Sequence, residues 1–194
     1  CRAGQYAFDM GLARFTQARH WLVLCGSGNN AGDGYVIARL ARAAGVEVTV
    51  VAITDPLRLS GDACKAFEDF RAAGGETQAY DPVSCPAGDL VIDAMLGTGI
   101  DRDLEGPYFA AVNGVNLSGK PILAVDMPTG INGLTGEVMG VAVDADVTVS
   151  FVGLKLGLFL ADGLSHGGEL LFDDLGIPQS VSADMLPGLL LFGA

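Results

Sequence analysis

The feature that most constrains the fold is the stretch 21–45, which predicts a strand, a glycine-rich turn and a helix in direct succession. Residues 21–25 form a short continuous apolar run, which is typical of a strand that is buried on both faces. The turn at 26–34 reads GSGNNAGDG, and residues 35–44 then carry helix formers at helical spacing up to Gly45. The stretch therefore predicts one strand–helix unit of an α/β domain.

The glycine-rich turn predicts a binding site for a phosphate-bearing ligand. Such a turn presents unpaired backbone N–H groups and the positive end of the helix dipole. Gly26, Gly28 and Ala31 match the dinucleotide pattern G-x-G-x-x-G/A, although this match alone is weak. Asp33 would repel a pyrophosphate that faced it. The alternative is that Asp33 is a helix N-cap and that the asparagines are turn residues, and the turn by itself leaves both open.

Length and composition predict a single packed domain whose main partner is not a nucleic acid. The 194 residues are enough for a sizeable core, and 50% of them are apolar. The chain has only 11 lysines and arginines and a net charge of −12, whereas nucleic-acid binding relies largely on those two residue types. An anionic small ligand is compatible with this charge, because backbone amides can hold it.

Cysteine and hydropathy patterns predict a cytoplasmic protein without a membrane partner. The 4 cysteines form no C-x-x-C pair, which favours reduced thiols. His20 and His166 are isolated from each other, which argues against a zinc site. No apolar run approaches membrane-spanning length, and no signal peptide is recognised. The chain begins with Cys1 instead of methionine, which is compatible with a missing N-terminal piece.

The rest of the chain predicts strands that alternate with helices. Further strands are predicted at 46–53, 77–80, 89–93, 121–126, 146–151 and 170–172, and helices at 2–19, 60–73 and 108–117. This alternation predicts an α/β fold, a three-layer α/β/α domain with a mostly parallel sheet and helices on both faces. The tail at 176–194 is assigned to no element.

Polar residues follow three of the predicted strands at the point where each strand ends. Asn30 and Asp33 follow the first strand, Asp93 ends another, and Asp126 with Thr129 ends a third. Because the carboxyl ends of parallel strands lie at one edge of the sheet, chain order alone predicts that these residues meet. Amide, carboxylate and hydroxyl oxygens are hard ligands that suit an alkali or alkaline-earth cation. The alternative is that each aspartate is an ordinary turn or cap residue.

Lys155 adds a candidate for acid–base chemistry. It lies just beyond the strand predicted at 146–151, at the same edge of the sheet. An aspartate with a lysine nearby can act as an acid–base pair. The alternative is that Lys155 is a surface lysine, and the sequence alone leaves both open.

Four motifs, taken in order, resemble the NAD(P)H-hydrate epimerase family. They are GxGNNAGDGYxxAR at 26–39, DAxxGTG at 93–99, DxPTG at 126–130 and TxxFxxxK at 148–155. The residues at 2–4 are also similar to the N-terminal helix motif of that family. The resemblance covers nearly the whole chain, and four motifs at matching spacing are far more specific than any one of them.

The resemblance implies a Rossmann-like α/β/α domain over 1–194, commonly a homodimer, that interconverts the R and S epimers of hydrated NADH and NADPH. These damaged cofactors carry a hydroxyl on C6 of the nicotinamide ring. The motifs imply a potassium ion held by Asn30, Asp93 and Thr129. They imply substrate contacts at Asn29, Asn30, Ala31, Gly32, Asp33, Gly97, Thr98, Gly99, Ile100, Asp101, Arg102, Asp103, Tyr108 and Asp126.

Two residues depart from the pattern of the family. Ala31 stands where glycine is frequent, which is a small change if its φ is negative. Thr129 stands where serine is usual, and it keeps the hydroxyl while its methyl group restricts the rotamer. The family often occurs fused to a kinase-like dehydratase domain, so the chain is either a stand-alone epimerase or a piece of a bifunctional protein.

The mechanism that the resemblance implies needs a proton donor and acceptor near C6. The hydroxyl can leave and return as water from the other face, or the ring can open and close again. Asp126 is expected to be the acid–base group, with Lys155 as a second candidate.

Two other functions remain as alternatives. A similar domain in an mRNA-decapping scaffold dimerises and need not be an epimerase, but the intact turn and strand-end aspartates favour an enzyme. An ordinary NAD-dependent dehydrogenase is disfavoured by Asp33 and because Asp55 lies too late for a ribose-binding acid.

Overall fold

The computed structural model describes residues 2–83 and 87–177. The strands in these ranges are β1 (His20–Cys25), β2 (Glu47–Ala52), β3 (Thr77–Ala79), β4 (Leu90–Ala94), β5 (Ile122–Val125), β6 (Val147–Phe151) and β7 (Glu169–Asp173). The helices are α1 (Arg2–Arg14), α2 (Asn29–Ala43), α3 (Gly61–Ala72), α4 (Gly106–Leu117) and α5 (Gly163–His166), with single 3₁₀ turns at Pro56–Arg58 and Leu156–Phe159.

The strands form one parallel sheet in the order β3-β2-β1-β4-β5-β6-β7. The central strands β1, β4, β5 and β6 are mostly apolar and are buried along almost their whole length, as expected for a sheet that is covered on both faces. The chain moves outward from β1 to β3 and then returns to place β4 on the other side of β1. The crevice above β1 and β4 is therefore the point where the strand order reverses, which is where open α/β sheets bind ligands.

Helices cover both faces of the sheet, so the predicted three-layer α/β/α architecture is confirmed. Helices α1, α2 and α3 pack on one face, where Trp21, Tyr35 and Phe70 are among the largest buried side chains. Helix α4 packs on the other face against residues such as Leu22 and Met95. None of the helices within residues 2–83 and 87–177 has the length and hydropathy that a membrane crossing requires.

Close helix contacts on the first face depend on two glycines. A Cβ at Gly4 would lie 2.7 Å from Cβ of Val36, and a Cβ at Gly32 would lie 2.9 Å from Cα of Ala63. Helix α2 is therefore held tightly between α1 and α3, and its N-terminus is fixed over the end of β1. The absence of a side chain at Gly4 thus permits the close approach of α1 to α2.

Two predicted helix boundaries are wrong. Helix α1 ends at Arg14 instead of residue 19, because the carboxylate of Asp89 accepts hydrogen bonds from the N–H groups of Arg19 and His20 and fixes the chain as it enters β1. Helix α2 begins at Asn29, six residues before the predicted start. The predictions for 178–194 lie outside the described residues.

The early start of α2 also settles the position of Asp33. Gly28 occupies the N-cap position with φ of 98°, a left-handed conformation that glycine adopts without strain. Asp33 lies one turn inside the helix, so the interpretation of Asp33 as an N-cap is wrong. Ala31 is helical and is absent from the residues with positive φ, so its replacement of glycine is tolerated.

Candidate functional site

A cavity of about 640 Å³ lies outside the carboxyl ends of β1, β4, β5 and β6. We call it the switch-point cavity. It is lined by Ala3, Ser27, Asn29, Asn30, Asp33, Leu96, Gly97, Thr98, Gly99, Ile100, Asp126, Phe151, Val152, Lys155 and Leu175. Nine of the residues that the sequence singled out therefore meet at one place.

A second cavity of about 610 Å³ adjoins the first, and we call it the loop cavity. Both cavities share Ser27, Leu96, Gly99 and Ile100. The remaining walls are Asp101, Arg102, Asp103, Leu104, Glu105 and Tyr108. The Tyr108 hydroxyl donates a 3.4 Å hydrogen bond to Ser27 Oγ at the boundary between the cavities. The two cavities together offer an elongated site for a ligand with two separate parts.

The first glycine of the turn is required by the sheet and not by a ligand. A Cβ at Gly26 would lie 1.9 Å from the carbonyl oxygen of Met95, so only glycine lets the chain leaving β1 pass the chain leaving β4. The weak dinucleotide pattern thus has a structural cause at this position. Asn29, the first residue of α2, is exposed on the cavity wall.

Asp93 and Thr129 form a buried polar pair at the ends of β4 and β5. Asp93 is fully buried, and its Oδ1 accepts from Thr129 Oγ1 at 2.7 Å while its Oδ2 accepts from the Thr129 N–H at 2.8 Å. The N–H of Met95 donates to the same carboxyl group. Burial raises the pKa of Asp93 to about 6, although these hydrogen bonds lower it.

Asn30 is a buried amide without a hydrogen-bond partner. Only 8% of Asn30 is exposed, and neither its Nδ2 nor its Oδ1 has a partner among residues 2–83 and 87–177. Leaving a buried amide unpaired costs free energy, so an unpaired side chain on a cavity wall indicates a ligand. A Cβ at Gly97 would lie 3.8 Å from Cγ of Asn30, so the amide lies beside the loop that follows β4.

The side-chain oxygens of Asn30, Asp93 and Thr129 are of the types that suit a potassium ion. Asn30 offers an amide oxygen, and Asp93 offers a carboxylate whose charge a cation would offset. The Thr129 hydroxyl accepts from the Leu96 N–H and keeps a second lone pair. One carboxylate with neutral oxygens suits a hard monovalent cation better than a transition metal.

Asp126 and Lys155 form an ion pair at the wall of the switch-point cavity. Lys155 Nζ donates to Asp126 Oδ1, and the two side chains are 17% and 21% exposed. The interpretation of Lys155 as a surface lysine is therefore wrong. Oδ2 of Asp126 faces the loop after β4, because a Cβ at Gly97 would lie 3.3 Å from it.

The chain makes the same unusual turn after β5 and after β6. Asp126 has φ of 70° and the Met127 N–H donates to the Val125 carbonyl at 2.9 Å, which is a γ-turn with positive φ. Val152 has φ of 66°, and the Gly153 N–H donates to the carbonyl of Phe151 at 2.7 Å.

Backbone strain is concentrated at the switch-point cavity. Of the four described non-glycine residues with positive φ, three line this cavity, namely Asp126, Val152 and Leu175. Such conformations cost about 1–3 kcal/mol each and cluster at functional sites.

Asp33 is the other carboxyl group on the wall of this cavity. It receives a hydrogen bond from the N–H of Gly4 at the start of α1. Burial raises the pKa of Asp33 to about 6, with a smaller contribution from the negative charge of Asp126, although the hydrogen bond from Gly4 lowers it. The cavity therefore holds two carboxyl groups in different settings: Asp126 is paired with the Lys155 ammonium group, and Asp33 accepts from the N–H of Gly4.

Two predicted contacts point away from the cavities. Ala31 is fully buried on the packed side of α2, and Gly32, also in α2, packs against α3. In the opposite sense, sequence reasoning missed Ser27, Val152 and Leu175, which line the switch-point cavity. The positive φ of Val152 and Leu175 could not be predicted from residue type. Ser27 could have been predicted, because it lies inside the glycine-rich turn.

The fold and the cavity define a doubly wound α/β domain with a candidate ligand site at its switch point. Residues 1–157 match the family described as YjeF-related protein N-terminus. The chain belongs to this family, and the resemblance drawn from the four motifs is confirmed.

Curated proteins that are similar to this chain carry related names. The chain is 38% identical over 182 residues to the NAD(P)H-hydrate epimerase of Limosilactobacillus fermentum, a match that covers 90% of this chain and 84% of that protein. It is 43% identical over 176 residues to the bifunctional NAD(P)H-hydrate repair enzyme Nnr of Escherichia coli, covering 91% of this chain and 34% of that protein. The chain thus spans about a third of the length of the bifunctional relatives.

A solved structure supports the fold alone. The crystal structure of the yeast protein YNL200c has a TM-score of 0.78 and 20% sequence identity, and the match covers 99% of this chain and 84% of that one. The likeness confirms the α/β architecture.

Proposed function

We propose that this chain is an NAD(P)H-hydrate epimerase that interconverts the R and S forms of hydrated NADH and NADPH. The observation that carries the proposal is the Asp126–Lys155 pair in the switch-point cavity, beside the unpaired amide of Asn30. The name of the Limosilactobacillus fermentum relative, which the chain matches over 84% of its length, supports the same activity.

The two adjoining cavities suit the two halves of a dinucleotide. The nicotinamide end requires acid–base groups, which are in the switch-point cavity, and the adenylate half would occupy the loop cavity. The first N–H groups of α2, at Asn29 and Asn30 on the wall of the switch-point cavity, would suit the pyrophosphate. Asn30, Asp93 and Thr129 would hold a potassium ion, whose charge would offset the negative charge of the phosphates.

We propose ring opening as the route of epimerisation, with Asp126 as its acid–base group. In this route Oδ2 of Asp126 takes the proton of the C6 hydroxyl, a C6=O bond forms, and the bond from C6 to the ring nitrogen breaks. The electron pair of that bond passes to the nitrogen, which receives the proton from Asp126. Rotation of the new aldehyde followed by the reverse steps inverts C6. In water enriched in heavy oxygen, we expect early product to keep its original oxygen, whereas loss and return of water would introduce the label.

The function is tested by supplying one purified epimer of hydrated NADH and following the epimer ratio by chromatography. We expect the protein to bring the ratio to equilibrium far faster than buffer does. A known epimerase is the positive control. An unchanged ratio alongside a working control would contradict the proposal and favour the scaffold alternative.

We also infer a cytoplasmic homodimer. The described cysteines Cys25 and Cys64 are free, which supports a reducing compartment. Two apolar residues of α4, Phe109 and Leu117, are 45% and 87% exposed, which supports a partner surface on that face. Sedimentation of the purified protein tests the dimer, and a monomer at micromolar concentration would contradict it.

A further inference from the structure

Ser150 has a contact that the acid–base pair alone does not account for. It lies near the end of β6 and is fully buried. Its Oγ accepts a 3.3 Å hydrogen bond from Lys155 Nζ. Thr148, two residues earlier on the same side of the strand, is equally buried but donates to the carbonyl of Gly167 instead. The two buried hydroxyls of β6 thus have different partners.

The ammonium group of Lys155 has three acceptors within the protein. They are Asp126 Oδ1, Ser150 Oγ and the carbonyl of Phe151, which lies at 2.7 Å. A lysine ammonium has three N–H donors, so this set accounts for all of them. The γ-turn at Val152 directs the Phe151 carbonyl, which also accepts from the Gly153 N–H. Lys155 therefore has no N–H left for a ligand in the cavity.

The arrangement makes the two oxygens of Asp126 different. Oδ1 is bound to the ammonium group, whereas no described residue in 2–83 or 87–177 donates to Oδ2. Oδ2 lies on the side of Gly97, where a Cβ would approach it to 3.3 Å. Glycine at this position keeps open the space in front of Oδ2.

We propose that Ser150 is a positioning residue for the epimerisation: its buried hydroxyl and the Phe151 carbonyl hold two N–H groups of Lys155, so that the third stays on Asp126 Oδ1 and Oδ2 alone exchanges a proton with the substrate. Lys155 then orients Asp126 and is not itself the acid–base group. This inference rests on the proposed function.

The physical reason is the rotational freedom of the ammonium group. Without the Ser150 hydroxyl, one N–H of Lys155 loses its partner in a mostly buried place, and a buried charged donor that lacks a partner is costly. The ammonium group then turns toward another acceptor. Oδ2, the second oxygen of the Asp126 carboxylate that already binds Lys155, offers such an acceptor. A hydrogen bond to Oδ2 would compete with proton transfer from the substrate, so the rate would fall without weaker binding.

The test combines kinetics with a direct observation of the ammonium group. Initial rates of epimer exchange give kcat and KM for Ser150→Ala, Ser150→Thr and Thr148→Val. Thr148→Val is the matched control, because it removes a buried hydroxyl from the same strand that does not contact Lys155. Nitrogen-15 spectra of the lysine side chains record whether the Lys155 ammonium protons are protected from exchange with water.

We expect Ser150→Ala to lower kcat about tenfold with KM changed less than twofold, which marks loss of an interaction in the transition state. Ser150→Thr should restore most of kcat, and Thr148→Val should stay within about twofold of the unmodified protein. The protected Lys155 signal should be present in the unmodified protein and lost in Ser150→Ala. If Ser150→Ala does not fold, Ser150→Cys, which keeps the shape with a weaker acceptor, should show the same loss.

Two results would overturn the inference. One is a kcat for Ser150→Ala within twofold of the unmodified protein, and the other is a Lys155 signal that does not depend on Ser150. If the unmodified protein exchanges no epimers, the proposed function fails, but the Lys155 signal still decides separately whether Ser150 holds the ammonium group.

Discussion

At the scale of single residues, the conformation of Asp126 makes it suitable for a clean substitution. Its φ of 70° lies in the left-handed region, which asparagine adopts more readily than most residues. Asp126→Asn should therefore fold normally. It removes the base, and we expect epimer exchange to slow by a factor of about 100 or more.

Asp69→Asn is the control for that substitution. Asp69 is an exposed carboxylate on α3 that pairs with Lys65 and lines neither cavity, so its removal should leave exchange unchanged. Melting curves of both variants establish that they are folded. Exchange by Asp126→Asn at close to the unmodified rate would remove Asp126 from its role.

Asp33 gives a prediction about pH and stability. Because burial raises its pKa to about 6, from about 4 in the unfolded chain, the folded protein binds a proton more tightly than the unfolded one. Below pH 4 the Asp33 carboxyl group is protonated in both states and does not destabilise the folded protein. As pH rises from about 4 to about 6, the unfolded chain gains from ionisation before the folded protein does, so the free energy of unfolding falls. Above pH 6 the accumulated cost is on the order of 3 kcal/mol.

Asp33→Asn should remove that dependence while still accepting the hydrogen bond from Gly4. Urea unfolding in potassium-free buffer at about pH 4.5 and pH 7.5 measures the effect. The difference in unfolding free energy between the variant and the unmodified protein should move in favour of the variant as pH rises. A constant difference would show that Asp33 is not protonated in the folded state.

At the scale of elements, the close contact between α2 and α3 predicts a matched pair of glycine substitutions. In Gly32→Ala the new methyl group would lie 2.9 Å from Cα of Ala63, so the helices must separate. We expect a loss of about 1–3 kcal/mol in unfolding free energy. Gly114→Ala on α4 meets nothing within 4 Å and should raise stability by up to about 1 kcal/mol.

Chemical denaturation of the two variants measures both effects. Because both are glycine-to-alanine changes inside a helix, the backbone entropy term is the same and the difference isolates the packing. Equal effects of the same sign would contradict the close contact that the structure gives for α2 and α3.

The central strands β1, β4, β5 and β6 were predictable because they are short and mostly apolar runs, and the alternation of strands and helices followed from the chain. The start of α2 was missed because Asn29 and Asn30 are poor helix formers, and their helical conformation depends on the packing of α2 between its neighbours. The end of α1 was missed because it depends on Asp89, a residue that is distant in sequence.

At the scale of the whole molecule, a potassium ion would connect elements that are separate in the chain. Asn30, Asp93 and Thr129 belong to α2, β4 and the turn after β5. A ligand that binds only the folded state stabilises it, by about 1.4 kcal/mol at a concentration ten times its Kd. We therefore expect potassium chloride to raise the melting temperature above that in choline chloride of equal ionic strength.

Asn30→Ala should abolish the potassium effect without abolishing folding, because it removes an amide that has no partner in the protein. The melting temperature measures this independently of activity. An equal response to potassium and choline in the unmodified protein would contradict the cation site.

The meeting of strand-end residues at one edge was predictable from chain order, since parallel strands bring their carboxyl ends together. The pairing of Lys155 with Asp126 and the contact with Ser150 were not. Both contacts depend on two γ-turns with positive φ at Asp126 and Val152. A positive φ is not expected for valine, so the sequence does not predict this conformation.

The registers of β5 and β6 give the edge of the sheet a step. Val125, the last residue of β5, is level with Val149, whereas β6 continues for two further residues to Phe151. At about 3.3 Å per residue the step is about 7 Å high, which is close to the width of one six-membered ring. Asp126 lies at the foot of the step, and Phe151, which lines the switch-point cavity, lies at its top. A six-membered ring resting against the step would present one edge to Asp126, so we expect the height of the step to select which atom of the ring is reached.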